Sequence, residues 1–365
     1  MPTLIHTFAA RIAITLTPLV IAGCAATTPS NQTAAPPPAG VPGSVWVANE
    51  AGESLTIFNA KDNTTTTTLI GISGPHNVQA APNGTVWATS DQGLAIDVNP
   101  RTYQVTSTVS VGSHPAHVVV TPNGRQAWVT NYGDDSIAII NTKTGTGQGS
   151  LKVGDGPHGM RFSPDGRTAY AALLDAGKLA IIDTDTLKVR HVDVGPQPVQ
   201  VAPTLDGDFV HVTLAGKNAV AKVDTQRKTV TAEILVPSSP AQALVTPDGR
   251  WLLVANQGTE EEPGNTVSRI DLTTDQITDT LQTGSGPHGL TTDPDARFAY
   301  VTNMYDDTMS VIDLAEFSIS RTIPTGKTPN GITYVSSPTL SKPGDTVPLT
   351  IENEGNPDPH EAHHP

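Results

Sequence analysis

Pro157-His158-Gly159-Met160-Arg161-Phe162-Ser163-Pro164-Asp165-Gly166 is the stretch from which the fold can be read. It opens on a proline, passes through a short apolar segment and ends in a tight turn, where Pro presets one dihedral and Asp-Gly tolerates positive φ. The same order recurs along the chain. Its leading prolines are Pro75, Pro115, Pro157, Pro198, Pro240, Pro287 and Pro329, spaced 40 to 47 residues apart. Related turns include Thr121-Pro122-Asn123-Gly124 and Thr246-Pro247-Asp248-Gly249. After each turn comes a strand such as Trp128-Val129-Thr130-Asn131, then a polar loop. An alternating strand follows, ending in Asn59, Asn99, Asn141, Asp183, Asp224, Asp271 or Asp313, and a Thr/Val-rich strand closes the unit. No helical period competes with this pattern.

Four strands per repeat, seven times over, predict an all-β fold: a seven-bladed β-propeller of four-stranded antiparallel blades spanning residues 43–337. The chain enters at a second strand (45–49), and its last repeat strand is a first strand (332–336). One blade must therefore combine a C-terminal inner strand with three N-terminal ones. That arrangement closes the ring and protects sheet edges.

Tyr300-Val301-Thr302-Asn303, with the Pro-x-Gly and Pro-Asp-Gly elements of the repeat, resembles the YVTN-repeat β-propeller family, and all seven units follow the pattern across 43–337. Leu173 and Leu214 replace the Asn, and Asp293-Pro294-Asp295-Ala296 lacks the turn Gly. The resemblance implies an exported or surface protein. Related seven-bladed propellers include lactonases and dehydrogenase subunits, so the fold does not set the chemistry.

The ends of the chain read differently. Arg11 precedes an apolar run, 12–22, too short to span a membrane, which closes on Val20-Ile21-Ala22-Gly23-Cys24. This resembles a bacterial lipobox. The expectation is a lipoprotein signal peptide over 1–23 and a Pro/Ala/Thr-rich spacer over 24–42 that begins at a lipidated Cys24. The protein is then exported and anchored to the bacterial cell membrane, facing outside the cytoplasm. Cys24 is the only cysteine, which excludes a disulfide framework and a cysteine-based zinc cluster. The C-terminal extension, 338–365, leaves the repeat. Residues 346–351 read as one extra strand, and an acidic tail bearing His360, His363 and His364 follows, a compositional metal binder. With 35 acidic against 21 basic residues, the net charge of −14 disfavours nucleic acid as a partner. A monomer is expected.

In a propeller, the link into each inner strand delivers its residues to the mouth of the central channel. The residues after the ladder prolines are His76, Ala116, His158, Val199, Ala241, His288 and Asn330. In the third unit a histidine arrives one position late, at His117, with His114 before it. In a regular strand that offset would turn its ring away from the others. Converging imidazoles suit Zn or Cu, with His76, His117, His158 and His288 as ligands. The loops between second and third strands open on the same face. From these, Asp134, Asp135, Asp306 and Asp307 are expected as outer support, and the same loops carry Glu50 and the insertion Glu260, Glu261 and Glu262. The competing reading is that repeats copy residues by duplication, so that a ring at such a link only satisfies backbone groups. His211 occupies the aromatic position held elsewhere by Trp46, Trp87, Trp128, Tyr170 and Tyr300, and reads as a packing residue.

The sequence contains no Gly-x-Ser-x-Gly and no dinucleotide glycine fingerprint within a βαβ unit. The reading that follows is a binding protein rather than an enzyme, holding a divalent transition metal, another small-molecule ligand or a partner protein at the propeller mouth. One alternative is a lactonase-type hydrolase using His158 and Arg161. The other is a purely structural surface module.

Overall fold

A computed structural model describes residues 40–338 and 344–351. Cys24, the spacer up to residue 39 and the tail histidines His360, His363 and His364 lie outside the described residues.

Seven antiparallel sheets follow one another along the chain. Six have four strands in simple order; one such blade runs Pro157–Phe162, Thr168–Leu173, Lys178–Asp183 and Val189–Asp193. The remaining blade joins both ends of the repeat region. Its order is Pro329–Val335, Ser44–Asn49, Ser54–Asn59, Thr64–Ile70 and Asp345–Pro348. We number it blade 1. Blades 2 to 7 then open with the inner strands Val78–Ala80, Pro115–Val120, Pro157–Phe162, Pro198–Pro203, Pro240–Val245 and Pro287–Thr292.

Closure is as expected from the register of the repeat. Ser44 pairs with Val335 and Val47 with Ile332, so the C-terminal inner strand seals the ring. The fifth strand is an addition. Asp345–Pro348 runs parallel to Thr64–Ile70 along the outer edge, and Leu349 donates its amide to the Ile70 carbonyl at 2.8 Å. It starts one residue earlier than the sequence suggests and stops at Pro348, which has no N–H to continue a ladder.

The core lies between blades rather than inside any one of them. Each sheet has two faces, and both must be covered by a neighbour. Trp128 of blade 3 meets Phe162 of blade 4 edge-on, with ring centroids 5.3 Å apart. Trp46, Trp87, Trp128 and Tyr300 are all buried at the shared aromatic position. His211 takes that position in blade 5 and is likewise buried. Burial, and then the charge of Lys222, pushes its imidazole down to about 4. The Asn or Asp ending each third strand makes a local turn. Asn99 accepts from the Arg101 amide at 2.9 Å and Asp313 from the Ala315 amide at 3.0 Å.

Candidate metal centre at the channel mouth

The inner strands do not pair regularly at their starts. In blade 4, Pro157 faces Leu173 and the next ladder partner is Met160 opposite Ala171. Two residues, His158 and Gly159, therefore stand against the single residue Ala172. The same shift follows Pro115, Pro198, Pro240 and Pro287. This is a β-bulge, and a bulge re-aims side chains that a regular strand would send to opposite faces.

The bulges are held by threonines of the second strands. Thr130 Oγ1 accepts from the His117 amide at 2.9 Å and donates to the His158 carbonyl at 2.7 Å. One hydroxyl thus locks the bulge of its own blade to the start of the next inner strand. Thr89 bridges the Asn77 amide and the Ala116 carbonyl in the same way, at 3.0 and 3.1 Å. Thr213 serves Gln200 and Ala241, and Thr302 serves Gly289 and Asn330. The Thr of the Val-Thr-Asn signature is therefore a clamp between blades, a role the repeat pattern alone does not reveal.

The bulge settles the position of His117. Although one residue late, its ring lies 5.7 Å from that of His76 and 5.1 Å from that of His158, with His76 and His158 5.2 Å apart. The offset does not turn it away, because both residues of the bulge reach the mouth. Candidate ligand nitrogens of His76, His117 and His158 all lie within 4.8 Å of one another. No other histidine, cysteine or carboxylate group of this kind occurs among the described residues. His288 joins at the edge, 6.4 Å from His76 between ring centroids. His114 does not join. It is exposed, has a φ of 49°, and its Nδ1 lies 2.9 Å from the Ser113 hydroxyl.

The rings differ in their partners. His158 Nδ1 lies 3.0 Å from the Val199 carbonyl. A carbonyl only accepts, so this nitrogen carries the proton and Nε2 keeps its lone pair. His117 is 1% exposed, and both of its ring nitrogens are buried without a partner. His76 Nε2 and His288 Nδ1 are also buried and unpartnered. On its other side, His76 Nδ1 is 3.1 Å from Asn330 Nδ2 and 3.6 Å from Glu50 Oε2. Asn330 Nδ2 donates to that same Glu50 oxygen at 2.7 Å.

Burial keeps three of the rings neutral. Burial, reinforced by neighbouring imidazoles, holds His117 well below its ordinary value, His158 at about 4 and His288 at about 3. Burial works against the charge on Glu50, but the hydrogen bond and charge of His76, with help from Asn330, prevail and hold it at about 2. The mouth thus presents the uncharged imidazoles of His117, His158 and His288 beside an ionised carboxylate.

The rim aspartates turn elsewhere. Asp134 accepts from the Ser113 amide and Asp306 from the Ser285 amide, each at 2.6 Å. Asp135 accepts from Gly156 at 3.0 Å and Asp307 from Thr328 at 2.8 Å. They tie second-to-third-strand loops to the links between blades. The carboxylate that reaches the imidazoles is Glu50, from the corresponding loop of blade 1. Arg161 lies on the same inner strand as His158, and its Nη1 donates to the Met160 carbonyl at 2.8 Å.

A family model described as a YNCE-like beta-propeller matches residues 77–172 and 166–338. No curated protein sequence matches the chain. Several solved structures share the fold at low identity. Kuenenia stuttgartiensis hydrazine synthase is 22% identical, with 71% of this chain and 88% of that one covered and a TM-score of 0.66. A functionally unknown protein from Desulfotomaculum acetoxidans is 13% identical, over 81% of this chain and all of that one (100%), with a TM-score of 0.70. A putative 6-phosphogluconolactonase from Bacteroides fragilis is 15% identical, over 80% and 98%, with a TM-score of 0.67.

Proposed function

The chain belongs to the YNCE-like beta-propeller family, and we propose that within this fold it is a binding protein whose channel mouth holds a divalent transition metal, zinc or copper. The observation that carries the reading is three imidazoles around one point, with buried ring nitrogens that no protein group satisfies. Buried polar atoms without partners are rare in folded proteins and call for an explanation. A metal supplies one, since neutral imidazole suits both ions.

Three imidazole nitrogens bound to zinc at about 2.0–2.1 Å stand roughly 3.4 Å apart in tetrahedral geometry. The observed separations reach 4.8 Å, so the rings close by about an ångström on loading. His158 offers Nε2, because its Nδ1–H is already held by Val199. His76 Nδ1 accepts from Asn330 Nδ2 at 3.1 Å, so with Nε2 on the metal the proton moves to Nδ1, that bond opens and Nδ1–H turns to Glu50 Oε2, 3.6 Å away. A carboxylate behind a ligating imidazole fixes the ring and raises its basicity. His288 is a fourth candidate. A fourth position left to an outside ligand is the alternative.

We further propose that this propeller is displayed outside the cytoplasm by lipidated Cys24. His360, His363 and His364 then assist capture of the ion from a tail that is not itself the main site. A lactonase-type hydrolase is the second reading, favoured by one observation: His158 and Arg161 share one strand at the mouth. It predicts turnover of simple lactones that His158→Ala or Arg161→Ala abolishes.

Competition with a chromophoric chelator tests the metal reading. His76→Ala, His117→Ala and His158→Ala should each weaken zinc or copper binding while the ring stays folded, and His288→Ala should weaken it less. Unchanged affinity in all four variants would remove the site.

A further inference from the structure

The inner strands carry a second set of groups that the imidazoles do not use. Arg161 is half-buried, and its one hydrogen bond to protein is to a neighbouring carbonyl. Among the described residues no carboxylate pairs with it, although its charge is close enough to bear on His117. Burial lowers the guanidinium only to about 10, so it stays charged at neutral pH.

The next two inner strands add donors. Gln200 and Gln242 are the second residues after their ladder prolines, the register that His117 occupies in blade 3. They are 0% and 4% exposed, and the side-chain Nε2 of each is buried without a partner. Gln200 Oε1 is already taken by the Val201 amide at 2.8 Å, which leaves that side chain as a donor only. Three successive inner strands, of blades 4, 5 and 6, therefore carry a cation and two unsatisfied amides. Glu50, the half-buried carboxylate beside the imidazoles, is committed to Asn330 and stands beside His76.

We infer that the channel takes a small carboxylate or oxyanion ligand, one end on the open position of the imidazole-bound metal and the other held by Arg161, Gln200 and Gln242. This rests on the metal reading above. The chemistry is complementary at both ends. A neutral three-imidazole site leaves the metal with its full positive charge, which favours an anionic fourth ligand. The guanidinium and the unpartnered Nε2 groups of Gln200 and Gln242 offer N–H donors, and an anion accepts from them, with a charge-assisted bond to the guanidinium. An anion also removes the cost of an unpaired, partly desolvated Arg.

The test uses the full chain loaded with Cu²⁺ and titrated with azide, read from its charge-transfer absorption, with acetate as the competing oxyanion. Both anions should bind the wild type. Arg161→Gln should weaken both by about tenfold or more while copper affinity holds or rises, since a like charge is removed. Gln242→Met, a smaller change in shape, should weaken acetate severalfold and gives the same reading if Arg161→Gln does not fold. Bound copper with unchanged anion affinity in both variants would overturn the inference and leave the metal site standing. Loss of copper in Arg161→Gln would also overturn it, because the residue would then support the metal. A wild type that takes no copper would overturn the metal reading and this inference with it.

Discussion

Two arcs of the same ring share a backbone and differ in chemistry. On one, blades 7, 1, 2, 3 and 4 present His288, Asn330, His76, His117 and His158 at the starts of their inner strands. On the other, blades 5 and 6 present Val199 with Gln200 and Ala241 with Gln242. The bulge is present in both. The threonine clamp is present in both: Thr130 holds His117 and His158, and Thr213 holds Gln200 and Ala241 with nearly the same distances. The bulge amides of His117 and Gln200 are thus satisfied alike by a hydroxyl, and of the clustered imidazoles that of His158 bonds the Val199 carbonyl. This narrows the duplication argument: the His158 ring serves the backbone through one nitrogen, but both ring nitrogens of His117 and Nε2 of His76 bond no backbone group.

The largest expected difference between the arcs is in metal affinity. Removing a ligand, as in His117→Ala, should raise Kd by more than the roughly 10- to 100-fold typical of losing a partner behind a ligand. Glu50→Gln should fall within that 10- to 100-fold range. The matching changes on the opposite arc, Gln200→Ala and Gln242→Ala, should leave metal Kd within about twofold. Chelator competition on all four measures this, and equal effects on both arcs would break the distinction.

A buried imidazole outside the cluster provides the next comparison. His211 has a folded value of about 4 against an ordinary 6.5. The unfolded chain therefore binds more protons across that window. Stability is full above pH 6.5 and falls as pH drops toward 4, by on the order of 3 kcal/mol. His211→Tyr, the residue found there in blades 4 and 7, should flatten this part of the pH profile in urea unfolding without changing metal binding. A profile parallel to that of the wild type would contradict the assignment.

Smaller effects come from the clamps. Thr130→Val and Thr213→Val each leave a buried amide and a buried carbonyl unpaired, at about 1–3 kcal/mol per group. Both should lower the unfolding midpoint alike. Only Thr130→Val should also weaken metal binding, because its partners carry ligands. If Thr213→Val does the same, the two arcs are mechanically one unit. The smallest effect should come from the rim. Asp134→Asn and Asp306→Asn should alter loop stability slightly and metal affinity by less than about threefold, since both carboxylates face backbone amides.

The fold was legible because its signals are local and repeated. Six of the seven ladder prolines are the first residue of an inner strand, a position where a missing N–H is tolerated, and Pro75 lies three residues before Val78–Ala80. Each Pro-Asp-Gly or Pro-Asn-Gly places a turn. The site was legible only in part. His76, His158 and His288 follow from strand register, but the convergence of His117 depends on a bulge that no periodicity announces. Glu50 was one acid among many loop acids. What distinguishes it is Asn330, which is 254 residues from His76 in sequence and 3.1 Å from it in space. Gln200 and Gln242 gave no signal at all, since a glutamine in a strand is ordinary until its amide is seen buried without a partner. The rim aspartates misled because paired acids in a loop look the same whether they face a cation or a neighbouring backbone amide.

Metal content of the purified full chain, by mass spectrometry, tests the central claim most directly. It should be compared with a chain ending at residue 355 and with the combined change of His76, His117 and His158 to Ala. The account predicts about one zinc or copper per chain, retained when the tail is removed and lost in the combined variant. Stoichiometric metal that survives in the combined variant, or that leaves with the tail alone, would contradict it.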